Sequence, residues 1–210
     1  QLLKVAPDAI YVLVTNPCDV LAVAAQKFSG LSPQRVFSSG TVLDSSRLRW
    51  LLADRVGVAI SSVHAMIVGE HGDSEFALWS QTRIGPVPLA DWVPIDRPPL
   101  VQSELDQIAS DVKNAAYQVI AGKGATNYAI GLSGARIVEA ILNDEKTVLP
   151  VSSVLNNYHG ISGVALSVPT VVGAAGIERV IEVPMTAEEK FKFTASAAAV
   201  KASLENLGLG

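Results

Sequence analysis

Ala9-Ile10-Tyr11-Val12-Leu13-Val14, closed by Thr15-Asn16-Pro17, is the stretch that decides the fold class. A continuous apolar run with no polar alternation, ended by a turn former and a proline, is the pattern of a short strand buried on both faces in a parallel sheet. The carboxyl end of such a strand is where open α/β folds collect ligands, which puts Asn16 in a favoured place. Turn formation before Pro17 accounts for Asn16 equally well. Downstream, helical patterning from about Asp19 to Phe28 ends near Gly30, and Arg35-Val36-Phe37-Ser38 reads as the next strand, completing a βαβ unit. The chain therefore opens as part of a doubly wound α/β sheet.

The remainder reads as mixed α and β. Helical periodicity runs from Thr41 to Val56, and Ile60 to Val68 and Glu75 to Val93 read as short antiparallel strands and turns limited by Pro86 and Pro88. A long helical region from about Leu100 to Asn143 is interrupted at Gly122-Lys123-Gly124. Strands follow at Thr147 to Leu155, Val164 to Val172 and Glu178 to Val183, with Gly173-Ala174-Ala175-Gly176 as a tight turn. Thr186-Ala187-Glu188-Glu189 is a capping box for a last helix, which puts Phe193, Ala197, Val200, Leu204 and Leu207 on one face and stops at Gly208.

Composition excludes several classes. The 210 residues are 49% hydrophobic and 17% charged, with a net charge of -4, and no basic cluster suits a nucleic-acid partner. The single Cys18 precludes an internal disulfide and reads as a small buried apolar residue. No apolar span reaches the ~20 residues of a membrane helix and no signal peptide is present, so a cytoplasmic location is the default. The first residue is Gln, and no strict G-x-G-x-x-G occurs; Gly122-Lys123-Gly124-Ala125-Thr126-Asn127 lacks the third glycine. We read the chain as a fragment or a processed product.

The residues best suited to chemistry lie in Val42-Leu43-Asp44-Ser45-Ser46-Arg47-Leu48-Arg49 and Ile67-Val68-Gly69-Glu70-His71-Gly72-Asp73-Ser74. Asp44 and Arg47, three apart, share a helix face; Arg49 is rotated by ~200° from Arg47 and looks elsewhere. His71 stands on a glycine-flanked turn after an apolar strand. Taken singly, the acid and arginine read as a solvated ion pair and the histidine as a turn residue. Together they supply a proton carrier, a carboxylate to orient it and a guanidinium for an anionic substrate. With Val63 to Gly69 read as one strand, His64 and Val68 share a face and His71 lies on the other, so His64 and Arg49 both point away from that group. A metal-dependent hydrolase built on His64, Glu70, His71 and Asp73 fails on the same geometry and on the absence of H-E-x-x-H spacing, so no metal is expected.

These two segments, with Val14-Thr15-Asn16-Pro17, Ser39-Gly40-Thr41 and Lys123-Gly124-Ala125-Thr126, in this order, resemble the lactate/malate dehydrogenase family over the whole chain. The resemblance implies residues 1–40 as the end of a Rossmann-type, dinucleotide-binding domain and residues 41–210 as an α+β substrate domain, the glycine fingerprint lying ahead of Gln1. It implies an NAD-dependent enzyme of glycolysis and fermentation that interconverts pyruvate and L-lactate, with His71 as acid and base, Asp44 its partner and Arg47 the substrate clamp. Asn16 and Thr126 are then at the substrate, and Val14, Asn16, Ser39 and Ile130 at the nicotinamide. Thr126 and Ile130, four apart on a helix following Gly124, can face one pocket, and the alternative for Thr126 is a cap of that helix. In allosteric bacterial members, the positions of Arg49 and His64 bind fructose 1,6-bisphosphate across a subunit interface, and a homotetramer is the family assembly. Thr126, Ser39-Gly40-Thr41 and Trp79 lean toward the lactate-acting branch; a malate enzyme is the alternative, and a catalytically inactive interaction piece is a third possibility.

Overall fold

The computed structural model describes residues 1–209. A short helix α1 (Leu2–Val5) precedes strand β1 (Tyr11–Leu13), helix α2 (Cys18–Ser29) and strand β2 (Val36–Ser38). β1 and β2 pair in parallel with Tyr11 opposite Val36 and Leu13 opposite Ser38, so the βαβ reading holds. Gly30 ends α2 in the left-handed region, as its position after the helical pattern requires. Helix α3 (Val42–Val56) follows, then the paired short strands β3 (Val63–His64), β4 (Ile67–Val68), β5 (Phe76–Ala77), β6 (Arg83–Ile84) and β7 (Val87–Pro88).

The strand expected over Val63 to Gly69 is not continuous. β3 pairs with β6 while β4 pairs with β5, and the chain changes sheets at Ala65 and Met66. Alternation counted across that break has no physical basis, so any separation of His64 from His71 must be read from position rather than parity.

The long helical region divides into α4 (Gln102–Lys123) and α5 (Tyr128–Leu142). Gly122 remains helical and the break lies at Gly124, which is left-handed, through Asn127. Two expected strands are each split by proline: Pro150 separates β8 (Thr147–Leu149) from β9 (Ser152–Val154), and Pro169 separates β10 (Ala165–Ser167) from β11 (Thr170–Gly173). A proline has no N–H to give a ladder, so pairing partners change at both points. The Gly173–Gly176 turn leads into β12 (Gly176–Val180), which ends before the expected Val183.

β1, β2, β9 and β10 form one mixed sheet that joins the first forty residues to the later chain. Helix α6 (Ala187–Asn206) begins with the expected capping box, the Thr186 side chain accepting from the Glu189 N–H. Phe193, Ala197, Val200 and Leu204 are buried, and pack with α2 residues Val20 and Val23 and with Leu166 of β10. Leu207 lies beyond the last helical turn and is exposed. Burying four such side chains stabilises the docked helix by a few kcal/mol each at most. A second core joins α3 and α4 through Leu48, Leu52, Ile108 and Val112, and a third packs α5 on β2, β8 and β11. Among the described residues, no helix is long and apolar enough to cross a membrane.

Candidate active site

The loop after β4 is pinned from several sides. At its start, Gly69 exchanges backbone hydrogen bonds with Ser167 of β10, at 3.0 and 2.8 Å. Gly69 has φ of +94°, and a Cβ there would stand 2.7 Å from the Ser196 hydroxyl oxygen of α6. That hydroxyl instead accepts the Glu70 N–H at 2.6 Å. The next N–H, that of His71, donates to Asp19 Oδ2 on the first turn of α2 at 2.7 Å. Asp19 is buried, and burial pushes its carboxyl above the usual range against the pull of donors that include this amide.

α3 is fixed to the same strand. The Thr41 hydroxyl donates to the Ile67 carbonyl at 2.6 Å, and the Ser45 hydroxyl accepts the Ile67 N–H at 2.9 Å. The turn into α3 needs Gly40, whose φ is +50° and whose absent Cβ would meet Ser167 Oγ at 2.5 Å and the Ser152 nitrogen at 2.7 Å. Asp44, adjoining Ser45, is thereby held opposite the loop.

Asp44, Arg47 and His71 come together as the sequence motifs anticipate. Asp44 Oδ2 lies 2.6 Å from His71 Nδ1, and Arg47 Nη1 lies 3.2 Å from Asp44 Oδ1. Asp44 is 3% exposed, so this pair works in a water-poor environment. Burial disfavours a charged imidazole, but the hydrogen bond and charge of Asp44, with Glu75 and Asp19 behind it, outweigh that cost and raise His71 to about 9. With Nδ1 engaged by Asp44, Nε2 is the nitrogen free to exchange a proton with a ligand.

Two residues were missed from sequence. Asp19 carries a usable signal, an acid in the first turn of the helix that follows Asn16-Pro17. Glu75 lies four residues after His71, with Oε2 3.9 Å from Nδ1. Asp44, His71 and Glu75 bring their ligand atoms within 4.8 Å of one another, a spacing that also suits a cation. His71 Nδ1 is already taken by Asp44, and Arg47 supplies the neighbouring positive charge. Of the remaining residues in the hydrolase alternative, His64 stands on β3 and neither Glu70 nor Asp73 joins this group.

Val14, Asn16 and Ser39 lie at the carboxyl ends of β1 and β2. The Ser39 N–H donates to the Leu13 carbonyl at 2.9 Å, which aligns the two strand ends. Val14 is 44% exposed and Asn16, at a cis bond to Pro17, is exposed beside it. A Cβ on Gly134 would lie 3.9 Å from Val14 Cγ1, and Ile130, one helical turn earlier, shares that face of α5. An apolar wall with Asn16 at its rim fits a flat heteroaromatic ring such as nicotinamide. Thr126 is not on the helix as expected: it lies in the connection, one residue before the N-cap position held by Asn127, and so does not cap α5 either.

Arg49 and His64 are brought together, away from His71. They line a cavity of about 490 Å³ with Leu78, Gln81 and Val148, and a shallower one of about 390 Å³ with Ser46 and Ser61. Arg49 Nη2 donates to Ser46 Oγ at 3.1 Å, and burial and the Arg136 charge hold its guanidinium below the usual range. Cys18 is 1% exposed, and burial pushes its thiol up to about 12, consistent with a packing role. His159 is a turn residue with φ of +46°.

Residues 41–208 match the lactate/malate dehydrogenase alpha/beta C-terminal domain. The L-lactate dehydrogenase of Bifidobacterium animalis subsp. lactis is 50% identical over 208 residues, covering 99% of this chain and 63% of that protein. The L-lactate dehydrogenase of Thermoanaerobacter pseudethanolicus is 43% identical over 209 residues and is covered to 67% of its length. The minor L-lactate dehydrogenase from Enterococcus mundtii in its ligands-bound form superposes with a TM-score of 0.90 at 43% identity, over 95% of this chain and 63% of that one. The malate dehydrogenase from Aeropyrum pernix superposes with a TM-score of 0.89 at 32% identity, over 98% of this chain and 65% of that one. The chain thus spans about 63% of the length of the Bifidobacterium relative. A histidine–aspartate–arginine group on this scaffold, matched in sequence over four fifths of its residues and in three dimensions over nearly all of them, places the chain in the lactate/malate dehydrogenase family.

Proposed function

We propose that these residues form the substrate- and proton-handling part of an NAD-dependent L-lactate dehydrogenase that interconverts pyruvate and L-lactate. The observation that carries this reading is the chain of contacts from Arg47 to Asp44 Oδ1 and from Asp44 Oδ2 to His71 Nδ1. Residues 1–40 then complete the cofactor domain and residues 41–210 the substrate domain.

NAD(H), when bound, supplies or takes the hydride. The residues to hold its nicotinamide are Val14, Asn16, Ser39 and Ile130. Arg47 binds the substrate carboxylate with the guanidinium donors it does not spend on Asp44, and Asn16 and Thr126 flank the substrate. Reduction of the 2-oxo group leaves negative charge on the carbonyl oxygen, and His71 delivers the Nε2 proton there while Asp44 steadies the ring through Nδ1. In lactate oxidation the neutral ring takes that proton back.

Arg49 and His64, in their separate cavity, are proposed as half of a fructose 1,6-bisphosphate site completed by a symmetry mate in a homotetramer. A cytoplasmic place in fermentation follows from the same reading.

The test is NADH oxidation by the holoenzyme with pyruvate and with oxaloacetate, each with and without fructose 1,6-bisphosphate. Pyruvate preference, activation by the bisphosphate and loss of turnover in His71→Asn with NADH binding retained are the expected results. If His71→Asn loses only NADH binding, its assignment as proton carrier fails. The similarity to the Aeropyrum pernix malate dehydrogenase supports a second reading, oxaloacetate as substrate, with Arg49 and His64 as surface residues.

A further inference from the structure

Glu75 is a buried carboxylate turned toward the same ring nitrogen of His71 that Asp44 engages, standing farther off. Its side chain is 5% exposed, and its Oε2 stands 3.9 Å from Nδ1. The turn that achieves this closes with the Glu75 N–H donating to the Gly72 carbonyl at 3.2 Å, which folds a residue four later in sequence back onto the ring without a helix. Among the described residues, the one ion pair Glu75 forms is with His71. The groups facing it come from every neighbouring element: Asp44 and Arg47 on α3, His71 in its own loop and Lys113 on α4. Lys113 also donates to the Asp73 carbonyl, so α4 is tied to the segment that carries Glu75.

We propose that Glu75 is a second positioning carboxylate for His71, acting with Asp44 to keep the proton on the ring and so extending 2-oxo acid reduction toward alkaline pH. This rests on His71 being the proton carrier. Burial and the Asp44 charge push the Glu75 carboxyl above its usual range, against the pull of His71, Arg47 and Lys113. In acid Glu75 is therefore neutral and contributes little to the imidazolium. As pH rises it ionises, just where His71 would otherwise begin to lose its proton. The charge it then carries favours the protonated ring over a wider range than Asp44 alone sustains. A charge at this distance, even when screened as in water, moves a neighbouring titration by about one pH unit.

The test compares wild-type holoenzyme with Glu75→Gln and Glu75→Asp in two readouts. One is the pH profile of kcat/KM for pyruvate, scored as the ratio of the alkaline limb to the acid plateau so that the height of the plateau is immaterial. The other needs no turnover: the pH dependence of His71 acylation by diethyl pyrocarbonate, read by peptide mass spectrometry, since only the neutral ring reacts. Glu75→Gln is expected to move both curves down by about one pH unit, which is about a tenfold fall in the ratio on the alkaline limb, and Glu75→Asp to restore part of it. Curves superimposable on wild type in both readouts overturn the proposal, as does a loss in Glu75→Gln that is uniform across pH. If wild-type enzyme reduces no 2-oxo acid, the dehydrogenase reading fails instead, and the acylation curves still decide whether Glu75 loads His71.

Discussion

Replacing Asp19 tests whether His71, the proposed proton carrier, is aimed by its backbone as well as by its side chain. Asp19 Oδ2 accepts the His71 N–H at 2.7 Å from a position 3% exposed. A hydrogen bond to an ionised acceptor contributes about 1.5–3 kcal/mol, and burial of this carboxylate offsets part of that. Asp19→Ala removes the acceptor and leaves the N–H without a partner in a semi-enclosed loop, so the expected loss is about 2 kcal/mol. For a protein of this size that lowers Tm by roughly 4–8 °C. Asp19→Asn keeps an oxygen in place and removes the burdened charge, so its loss at neutral pH is expected to stay under about 1 kcal/mol. Because the folded-state carboxyl sits above its ordinary value, ionising it costs stability as pH rises, and Asp19→Asn should gain on wild type from acid toward neutral pH. Thermal and urea melts of the three proteins measure the stability, and kcat for NADH oxidation measures the aim of His71, where a displacement of about 1 Å costs on the order of a hundredfold. If Asp19→Ala melts within about 0.5 kcal/mol of wild type with kcat intact, the loop is not held here. If Asp19→Asn falls as far as Asp19→Ala, the charge and not the hydrogen bond is what matters.

Asp44→Asn should move the alkaline limb of the proposed pyruvate reduction from near the His71 value of about 9 down by about two pH units, toward an unpaired histidine, as a pH series of kcat/KM will show. Since the folded-state value is raised above the unfolded one, the stability this pair contributes is fully present below about pH 6.5 and is lost as pH rises through about 9, so melts of wild type and variant should converge in alkali. Gly40→Ala places a Cβ 2.5 Å from Ser167 Oγ and 2.8 Å from the Pro150 carbonyl oxygen at a φ of +50°, and is expected to lower stability by at least about 2 kcal/mol, seen as a fall in the urea midpoint at constant slope. Cys18, with its thiol pushed up to about 12 by burial, should resist a thiol reagent in the native protein and react at once in denaturant; rapid native labelling would contradict its place in the core.

What could be read from sequence, and what could not, divides by the range over which each constraint acts. Asp44 and Arg47 were legible because one helix turn fixes their relation, and His71 because glycines flank it after an apolar run. The strand breaks at Pro150 and Pro169 are equally local, since each proline lacks the N–H a ladder needs, but the apolar runs around them read as continuous strand. Leu207 fitted the periodicity of α6 and still faces solvent, because periodicity carries no information on where docking stops. Asp19 meets His71 across a separation of 52 residues, and Ser45 meets Ile67 across 22, so neither contact leaves a pattern in either segment alone. Glu75 is the instructive case, since four residues from His71 is a spacing that means contact on a helix and nothing in particular on a turn. The chemistry-bearing side chains are thus announced by local geometry, whereas the groups that aim and load them are set by tertiary packing. For that reason the positioning carboxylates Asp19 and Glu75, rather than His71 itself, are where two sequences with the same motifs can diverge in their dependence on pH.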